Sequence, residues 1–278
     1  RPPLYSKAAP VRGALLDAKG KQGYYTLGLP AVAQVPFKPA AEYPQGTGHA
    51  GLTLLSTGTL KLAGTLAEGT KVTAASFLVE GDAAEVFVVL PTPGGKTKAG
   101  SLLGTLVFDE AHLDSDATSA DMRWFRPVAE TKPSVLQAYR AGWPGGIALG
   151  LVGALYDGSV PVQTALGLGN PVVPTGNAAL FFENGKLADE LSARFNFEGN
   201  KVVKLDARDK TWSLVLTPKT GMMSGAFTPD WPDAAKKLPV FRGVLLQKGA
   251  NARGCGYFLS NAAGDIEPDS GAVELGSP

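Results

Sequence analysis

The sequence predicts an all-β protein made of two related, antiparallel, glycine-rich meanders that form barrels or sandwiches. Apolar and polar residues alternate with a period of two in most of the predicted strands. In a strand, successive side chains lie on opposite faces, so this alternation gives each strand one apolar face. The 278 residues include 35 Gly and 21 Pro, as expected of many short strands joined by tight turns. At 44% hydrophobic residues, the chain is long and apolar enough to bury a large core.

The first half, predicted as an N-terminal β lobe over residues 1–128, begins with a proline-rich linker or edge segment at 1–10. A hairpin of strands 11–17 and 23–28 follows, because the turn residues at 18–22 separate two apolar runs. The later strands are predicted at 49–56, 59–66, 71–79, 84–90, 101–108 and 121–126.

The second half, predicted as a C-terminal β lobe over residues 129–278, opens with a segment, 134–140, that fits a short helix or a strand equally well. Residues 145–156 are apolar and predict one buried strand, and 160–176 predict a loop. In the hairpin that follows, Leu191, Ala193, Phe195 and Phe197 are expected on one face. The strands predicted here are 177–183, 187–197, 201–206, 212–217, 222–227, 240–247, 255–259 and 271–275.

The two halves, 10–128 and 145–275, share features that predict an internal repeat, with a single large barrel as the alternative. Arg12-Gly13 and the tyrosines of the first hairpin have counterparts in Arg242-Gly243 and Tyr257-Phe258. Gly64 and Gly225 occupy matching positions in two strands. Glycine inside a strand indicates a bulge or a close backbone approach.

Bulk charge and apolar patterning argue against two classes of partner. The chain has 26 basic and 25 acidic residues and a net charge of +1, so no global field favours nucleic acid. It contains no apolar run of about 18 residues or more, so no membrane span is predicted. Cys255 has no partner for an internal disulfide and is interpreted as a small core residue.

A family resemblance rests on the runs GHAGLTLLSTGTLKLAGTLAEGTKVT, GSLLGTLVF, DMRWFRP, LVLTPKTGMMSGAF, FRGVLLQ, GCGYFLS and GAVEL. They resemble an uncharacterised glycine-rich β module found near the C-termini of large secreted or surface proteins of some environmental bacteria. The resemblance covers about 10–275 and departs from the module's pattern around Asn251 and at 261–269. It implies a β architecture and an extracellular or cell-surface location, and it implies no site residues.

The motifs that could carry catalysis are incomplete. His49 and His112 lack the Gly-x-Ser-x-Gly setting of a hydrolase nucleophile, and two histidines with one cysteine do not make a standard zinc site. Gly95-Lys96-Thr97 resembles the end of a phosphate-binding loop, but Leu90 stands where that loop needs its first glycine. A hairpin turn is the simpler interpretation of residues 93–97.

Two loops carry alternating acidic residues, one with Asp114 and Asp116 and the other with Asp265, Glu267 and Asp269. Clustered carboxylates can bind calcium, although neither loop has the glycine and distal glutamate of the twelve-residue calcium loop. A solvated acidic turn is the favoured interpretation, calcium is the alternative, and no other cofactor is predicted.

Trp143-Pro144 and Trp231-Pro232 both lie in predicted loops. Exposed aromatic rings stack on sugars or pack against partners, so Trp143 and Trp231 are candidate ligand-binding residues. The alternative is that each tryptophan plugs the end of a β core.

These observations predict a non-enzymatic structural, adhesion or attachment module of a secreted or cell-surface protein. One alternative is a carbohydrate-binding module that uses the loop aromatics, and another is a glycan hydrolase with an unidentified acidic pair. Because the chain starts at Arg1 rather than Met, we expect it to be either a processed product or a piece of a longer protein. The expected partners are the neighbouring domains of that protein, and a glycan or another surface protein.

Overall fold

The computed structural model describes residues 21–34, 36–79, 82–132, 134–233 and 237–278, and it confirms the all-β prediction. Over these residues the chain forms two antiparallel sheets, of ten and eight strands, which curve into a half-barrel and a nearly closed barrel. The predicted strand 11–17, and with it Arg12 of the proposed repeat, lies outside the described residues.

The first sheet contains the ten strands before Tyr156. In sheet order its path runs β4-β3-β2-β1-β10-β7-β6-β8-β9, and β5 pairs with β6 off this path. The strands are β1 (Gly23–Pro30), β2 (Thr47–Leu54), β3 (Thr59–Thr65), β4 (Lys71–Phe77), β5 (Ala83–Leu90), β6 (Gly100–Phe108), β7 (Ala117–Thr118), β8 (Arg123–Arg126), β9 (Trp143–Ala148) and β10 (Val152–Leu155).

The second sheet contains the eight later strands, in the order β13-β12-β11-β18-β17-β16-β15-β14. It consists of two meanders that are joined where β11 pairs with the C-terminal strand β18. The strands are β11 (Ala178–Asn184), β12 (Leu191–Glu198), β13 (Lys201–Lys204), β14 (Trp212–Thr217), β15 (Met222–Phe227), β16 (Val240–Leu246), β17 (Arg253–Leu259) and β18 (Ser270–Gly276).

Several local predictions are confirmed. The strands from β14 to β17 are consecutive antiparallel neighbours, as the alternation in this stretch predicts. Residues 93–97 join the antiparallel pair β5 and β6, where Thr92 N donates to Thr97 O at 2.9 Å, so this segment is a hairpin turn. In β12, Phe195 and Phe197 are fully buried on the predicted apolar face.

The prediction of a helix or strand over 134–140 is wrong, because arginine side chains take the carbonyls that regular structure would use. The Arg140 guanidinium donates to the carbonyls of Thr131, Lys132 and Val135. The Arg126 guanidinium donates to those of Ala138 and Tyr139. This segment is called the arginine-bound loop below (residues 129–142), and its described residues form turns, bends and irregular backbone.

The apolar run 145–156 forms two strands, where the sequence predicts one. Gly146 has a positive φ of 79° inside β9, where the pairing with β8 shifts register, and β9 ends at Ala148. Gly150 N then donates to Pro30 O at 2.8 Å, and the chain crosses from β8 to a new place between β1 and β7. The predicted loop 160–176 contains a one-turn helix, α1 (Val162–Ala165), and the two-residue strand β7 is absent from the sequence-based prediction.

The predicted division after residue 128 does not coincide with the division between the sheets. Strands β9 and β10 follow residue 128 and belong to the first sheet, so the sheets separate between Leu155 and Ala178. The sequence of the apolar run 145–156 does not show which sheet it joins, because the strands that pair with it are distant in sequence.

The two sheets enclose cores of different character. Leucine dominates the first, with Leu27, Leu52 and Leu60 fully or almost fully buried. Phenylalanine dominates the second, where Phe182 stacks on Phe227 with ring centroids 4.0 Å apart and meets Phe241 edge-on.

Within the described residues, no helix has both the length and the apolar character needed to cross a membrane.

We predict that alanine at Gly64 or Gly225 destabilises the fold, because their neighbours leave no room for a β-carbon. At Gly64 it would lie 2.7 Å from Ala50 Cα, and at Gly225 2.7 Å from Phe241 Cε1. Overpacking of this kind costs about 1–3 kcal/mol, measurable as a lower midpoint in urea unfolding. Gly276→Ala is the control, since no heavy atom lies within 4 Å of its added carbon; equal midpoints in all three variants would contradict the prediction.

Candidate functional site

The main structural junction of the protein is the face where β1, β2 and β10 pack against β16 and β17. A small buried cluster of Ala154, Val244, Leu246 and Cys255 lies there. Thr26 Oγ1 crosses the junction and donates to Leu245 O at 2.6 Å. Burial raises the pKa of the Cys255 thiol to about 12, so this thiol stays protonated and unreactive, in agreement with its interpretation as a core residue.

His49 of β2 is buried at the edge of the same junction. Its ring stacks on Tyr257 of β17 with centroids 5.9 Å apart, and no described group forms a hydrogen bond with its Nδ1. Burial, with a smaller contribution from the nearby Arg242 charge, lowers the pKa of His49 from 6.5 to about 4. The imidazole is therefore neutral at physiological pH.

A buried polar chain links the first sheet to the second through the arginine-bound loop. Glu68 lies 3.5 Å from Arg126 Nε and accepts a hydrogen bond from Thr70 N at 2.9 Å. Burial raises the pKa of the Glu68 carboxyl, although Thr70 and Arg126 oppose the shift. Arg126 fixes the carbonyl of Tyr139, whose hydroxyl accepts a hydrogen bond from Ser270 N at 2.8 Å.

The structure buries both tryptophans that the sequence offers as ligand platforms. Trp143 is 2% exposed and meets Trp124 edge-on at 4.5 Å between ring centroids. Trp231 is 6% exposed, and its Nε1 donates to Gly185 O at 3.1 Å. Neither ring presents a face to a sugar in this conformation, and both occupy core positions, as in the alternative interpretation.

The first acidic loop connects the two sheets. Asp116 Oδ1 lies 2.8 Å from Lys248 Nζ, and its Oδ2 accepts from Leu155 N at 2.8 Å. Asp114 Oδ1 accepts from Ala250 N at 2.9 Å, and its backbone carbonyl accepts from the Asn251 side chain. These carboxylates bind the loop between β16 and β17, and a calcium ion here would have to displace those donors.

The second acidic loop, residues 261–269, is held by one lysine and by the arginine-bound loop. Lys186 Nζ lies 3.0 Å from both carboxylate oxygens of Asp265. Although burial opposes it, this contact and nearby donors lower the pKa of Asp265. Glu267 Oε1 accepts from Arg140 N at 2.9 Å. Among the described residues, no three His, Cys, Asp or Glu side chains are grouped to hold a metal ion.

Two clefts flank this second acidic loop. The smaller, about 240 Å³, is lined by polar residues including Gln45, Lys186 and Asp269. Burial, together with the charges of Asp265 and Glu267, raises the pKa of the Asp269 carboxyl, while Lys186 opposes the shift. The larger cleft, about 410 Å³, lies between residues 134–136 and 261–266. Each cleft lies between segments that connect strands of different sheets, a common setting for ligand sites.

Sequence reasoning finds the acidic loops but not the groups that hold them. Lys186 follows the turn residue Gly185, and Lys248 precedes Gly249. Arg126 lies at the end of a predicted strand, where a charged residue is ordinary. A buried glutamate such as Glu68 carries no sequence signal of its own. Glu68 and Arg126 are 58 residues apart, Lys186 and Asp265 are 79 apart, and Lys248 and Asp116 are 132 apart, so spacing along the chain does not predict their contact.

We predict that Asp116 and Lys248 are energetically coupled across the junction. In a double-mutant cycle of Asp116→Asn and Lys248→Met, the coupling free energy should be about 1 kcal/mol, since both side chains are partly buried. The measurement is urea unfolding of the four proteins. The exposed pair Asp206 and Arg208 is the matched control and should show no measurable coupling. Equal coupling in both pairs would disprove a junction-specific contact.

We also predict that His49 makes the protein less stable in mild acid. Its folded-state pKa lies below the value of 6.5 in the unfolded chain, so below pH 6.5 the unfolded chain binds a proton that the folded chain does not. The free energy of unfolding therefore falls by up to about 3 kcal/mol as the pH drops from 6.5 to about 4. Unfolding curves across this range should lose that slope in His49→Gln and keep it in His112→Gln; an unchanged slope in both variants would refute the assignment.

Comparisons with known proteins assign no family to this chain. No protein-family model matches it, and a search of curated proteins finds no match. One similar solved structure is the crystal structure of a protein of unknown function from the DUF3598 family of Nostoc punctiforme. It is 12% identical, the alignment covers 97% of this chain and 100% of that chain, and the TM-score is 0.25.

Proposed function

We propose that this protein is a non-enzymatic structural module, serving attachment or adhesion, within a larger secreted or cell-surface protein. The main observation behind the proposal is that the carboxylates of the acidic loops form hydrogen bonds between the two sheets. Asp114, Asp116 and Glu267 each accept hydrogen bonds from a loop that belongs to the other sheet. Side chains that could have performed chemistry therefore hold the two sheets together.

The buried aromatic residues support the same function. The second sheet encloses stacked phenylalanines, and the tryptophans expected to bind carbohydrate are buried. Two sheets that share buried contacts form a rigid module, which can transmit force and hold neighbouring domains in fixed positions. The extracellular or cell-surface setting and the neighbouring domains as partners belong to this proposal, on the strength of the sequence resemblance.

The proposal is tested by calorimetry and by an activity screen of the whole chain. We expect one cooperative unfolding transition, with the calorimetric enthalpy equal to the van't Hoff enthalpy, because the junction couples the sheets. Incubation with cellulose, chitin, xylan and starch should release no reducing sugar above a buffer control. Two separate transitions would contradict a single structural body. Sugar release that Asp269→Asn abolishes would instead support the hydrolase alternative.

A further inference from the structure

The second sheet does not close on itself, and its two end strands leave a seam in the barrel wall. The sheet order begins with β13 and ends with β14, and no described ladder joins these two strands. The short strand β13 pairs only with residues 195–198 of β12. Residues 191–194 of β12 pair with β11 on one side and have no described strand on the other. The barrel wall therefore lacks a strand beside this part of β12.

Two polar contacts fix the width of the seam. Lys204, the last residue of β13, donates to the carbonyl of Trp212 at the start of β14, and its Nζ lies 4.3 Å from the centroid of the Trp212 ring. Asp230 accepts hydrogen bonds from Ala188 N at 3.2 Å and from Asp189 N at 3.1 Å. The first contact holds β13 against β14, and the second holds the turn before β12 against the loop after β15.

A pocket of about 120 Å³ opens in this seam and reaches the aromatic core. Phe182, Trp212 and Phe227 line it and are each no more than 5% exposed, so they form its inner wall. Phe182 stacks on Phe227 with ring centroids 4.0 Å apart, and Trp212 Nε1 donates to Asp209 Oδ2 at 2.8 Å. Because these contacts already fix the three rings, a ligand would enter a preformed space.

One small side chain explains why this space is empty. Leu191, Ala193 and Phe195 follow one another on the inner face of β12, and both Leu191 and Ala193 line the pocket. Ala193, which lies opposite Leu180 of β11, is too short to fill the space in front of the aromatic rings. Protein interiors normally leave few voids larger than a water molecule. The pocket is therefore a consequence of alanine at this position.

The size and the lining of the pocket favour one kind of occupant. The described lining residues include no ionisable side chain, and their polar side chains are the exposed hydroxyl groups of Ser192, Thr211 and Thr228. The inner wall is thus apolar and the rim is polar. A cavity of about 150 Å³ lined by apolar side chains is large enough to bind benzene. A single neutral aromatic ring matches this volume and this wall, whereas a charged group would find no partner inside the pocket.

We propose that this pocket binds a small neutral monocyclic aromatic compound, such as a phenol. The ring packs against Phe182, Trp212 and Phe227, where aromatic rings favour offset stacked or edge-on contacts, and a polar substituent lies at the rim of hydroxyl groups. The seam involves β12, β13 and β14, whereas the sheet junction involves β16 and β17. The inference therefore does not depend on the proposed structural function.

Titration of the whole folded chain with para-fluorophenol, followed by nuclear magnetic resonance, tests the proposal. The fluorine signal of the ligand should show saturable binding with a Kd of about 0.1–1 mM. The indole N–H signal of Trp212, identified by its loss in Trp212→Phe, should shift with the same Kd. The indole signals of Trp124 and Trp143, which lie in the core of the first sheet, should not shift.

Two variants at Ala193 fill the pocket to different extents. Ala193→Leu should raise the Kd by at least about 10-fold, and the smaller Ala193→Val by about 3-fold, because each added methyl group takes space from the ring. Filling an existing cavity commonly stabilises a fold, so we expect the thermal midpoints of both variants to be unchanged or higher. Circular dichroism establishes that each variant is folded.

Two controls establish that the site and the class of ligand are correct. Ala75 is exposed on β4 of the first sheet, so Ala75→Leu makes the same substitution elsewhere and should leave the Kd unchanged. Methyl glucoside has a ring of similar size that carries hydroxyl groups all round, and it should not shift the Trp212 signal. A Trp212 signal that does not move, an unchanged Kd in both Ala193 variants, weaker binding in Ala75→Leu, or equal affinity for methyl glucoside would overturn the proposal.

Discussion

The close approach of the two sheets at Gly46 is the constraint on which the arrangement of the molecule depends. A β-carbon at this position would lie 2.7 Å from Ser270 Oγ and closer still to Gly271 O and Tyr257 Cβ. Because Gly46 has none, Gln45 N reaches Ser270 O at 3.3 Å and Ser270 Oγ reaches Ala67 O at 2.7 Å. These contacts set the separation at which the buried residues of β1, β2, β16 and β17 pack.

The buried ion pair of Glu68 and Arg126 near this junction positions neighbouring groups more than it stabilises the fold. Bringing Glu68 and Arg126 together inside the protein gains little net free energy, because the desolvation of both ions offsets their attraction. Their contact does fix the Arg126 guanidinium, which orders the carbonyl of Tyr139 and so places the tyrosine hydroxyl beside Ser270 N. Tyr139 itself has a positive φ of 48°, an uncommon conformation for a bulky residue, and these contacts hold it there.

The sequence predicts features that depend on neighbours in the chain and misses those that depend on distant partners. The alternation in β12 and in β14 to β17 is local, and these strands and their order are confirmed. The apolar run 145–156 divides between two partners, and the arginine-bound loop gives its carbonyls to side chains. Neither outcome is visible without knowing which residues lie nearby in space.

The same limit applies to the acidic loops. The sequence identifies their carboxylates, but it does not show which groups bind those carboxylates. Alternating carboxylates look alike whether water, calcium or a lysine satisfies them, and here Lys186 and Lys248 do so from far away in the chain. In the second acidic loop, Lys186 neutralises Asp265. That loop also contacts the arginine-bound loop through Ile266 and Glu267. The second acidic loop therefore connects the second sheet to a loop of the first sheet through residues that are distant in the chain, so its role follows from these contacts and not from the spacing of its carboxylates.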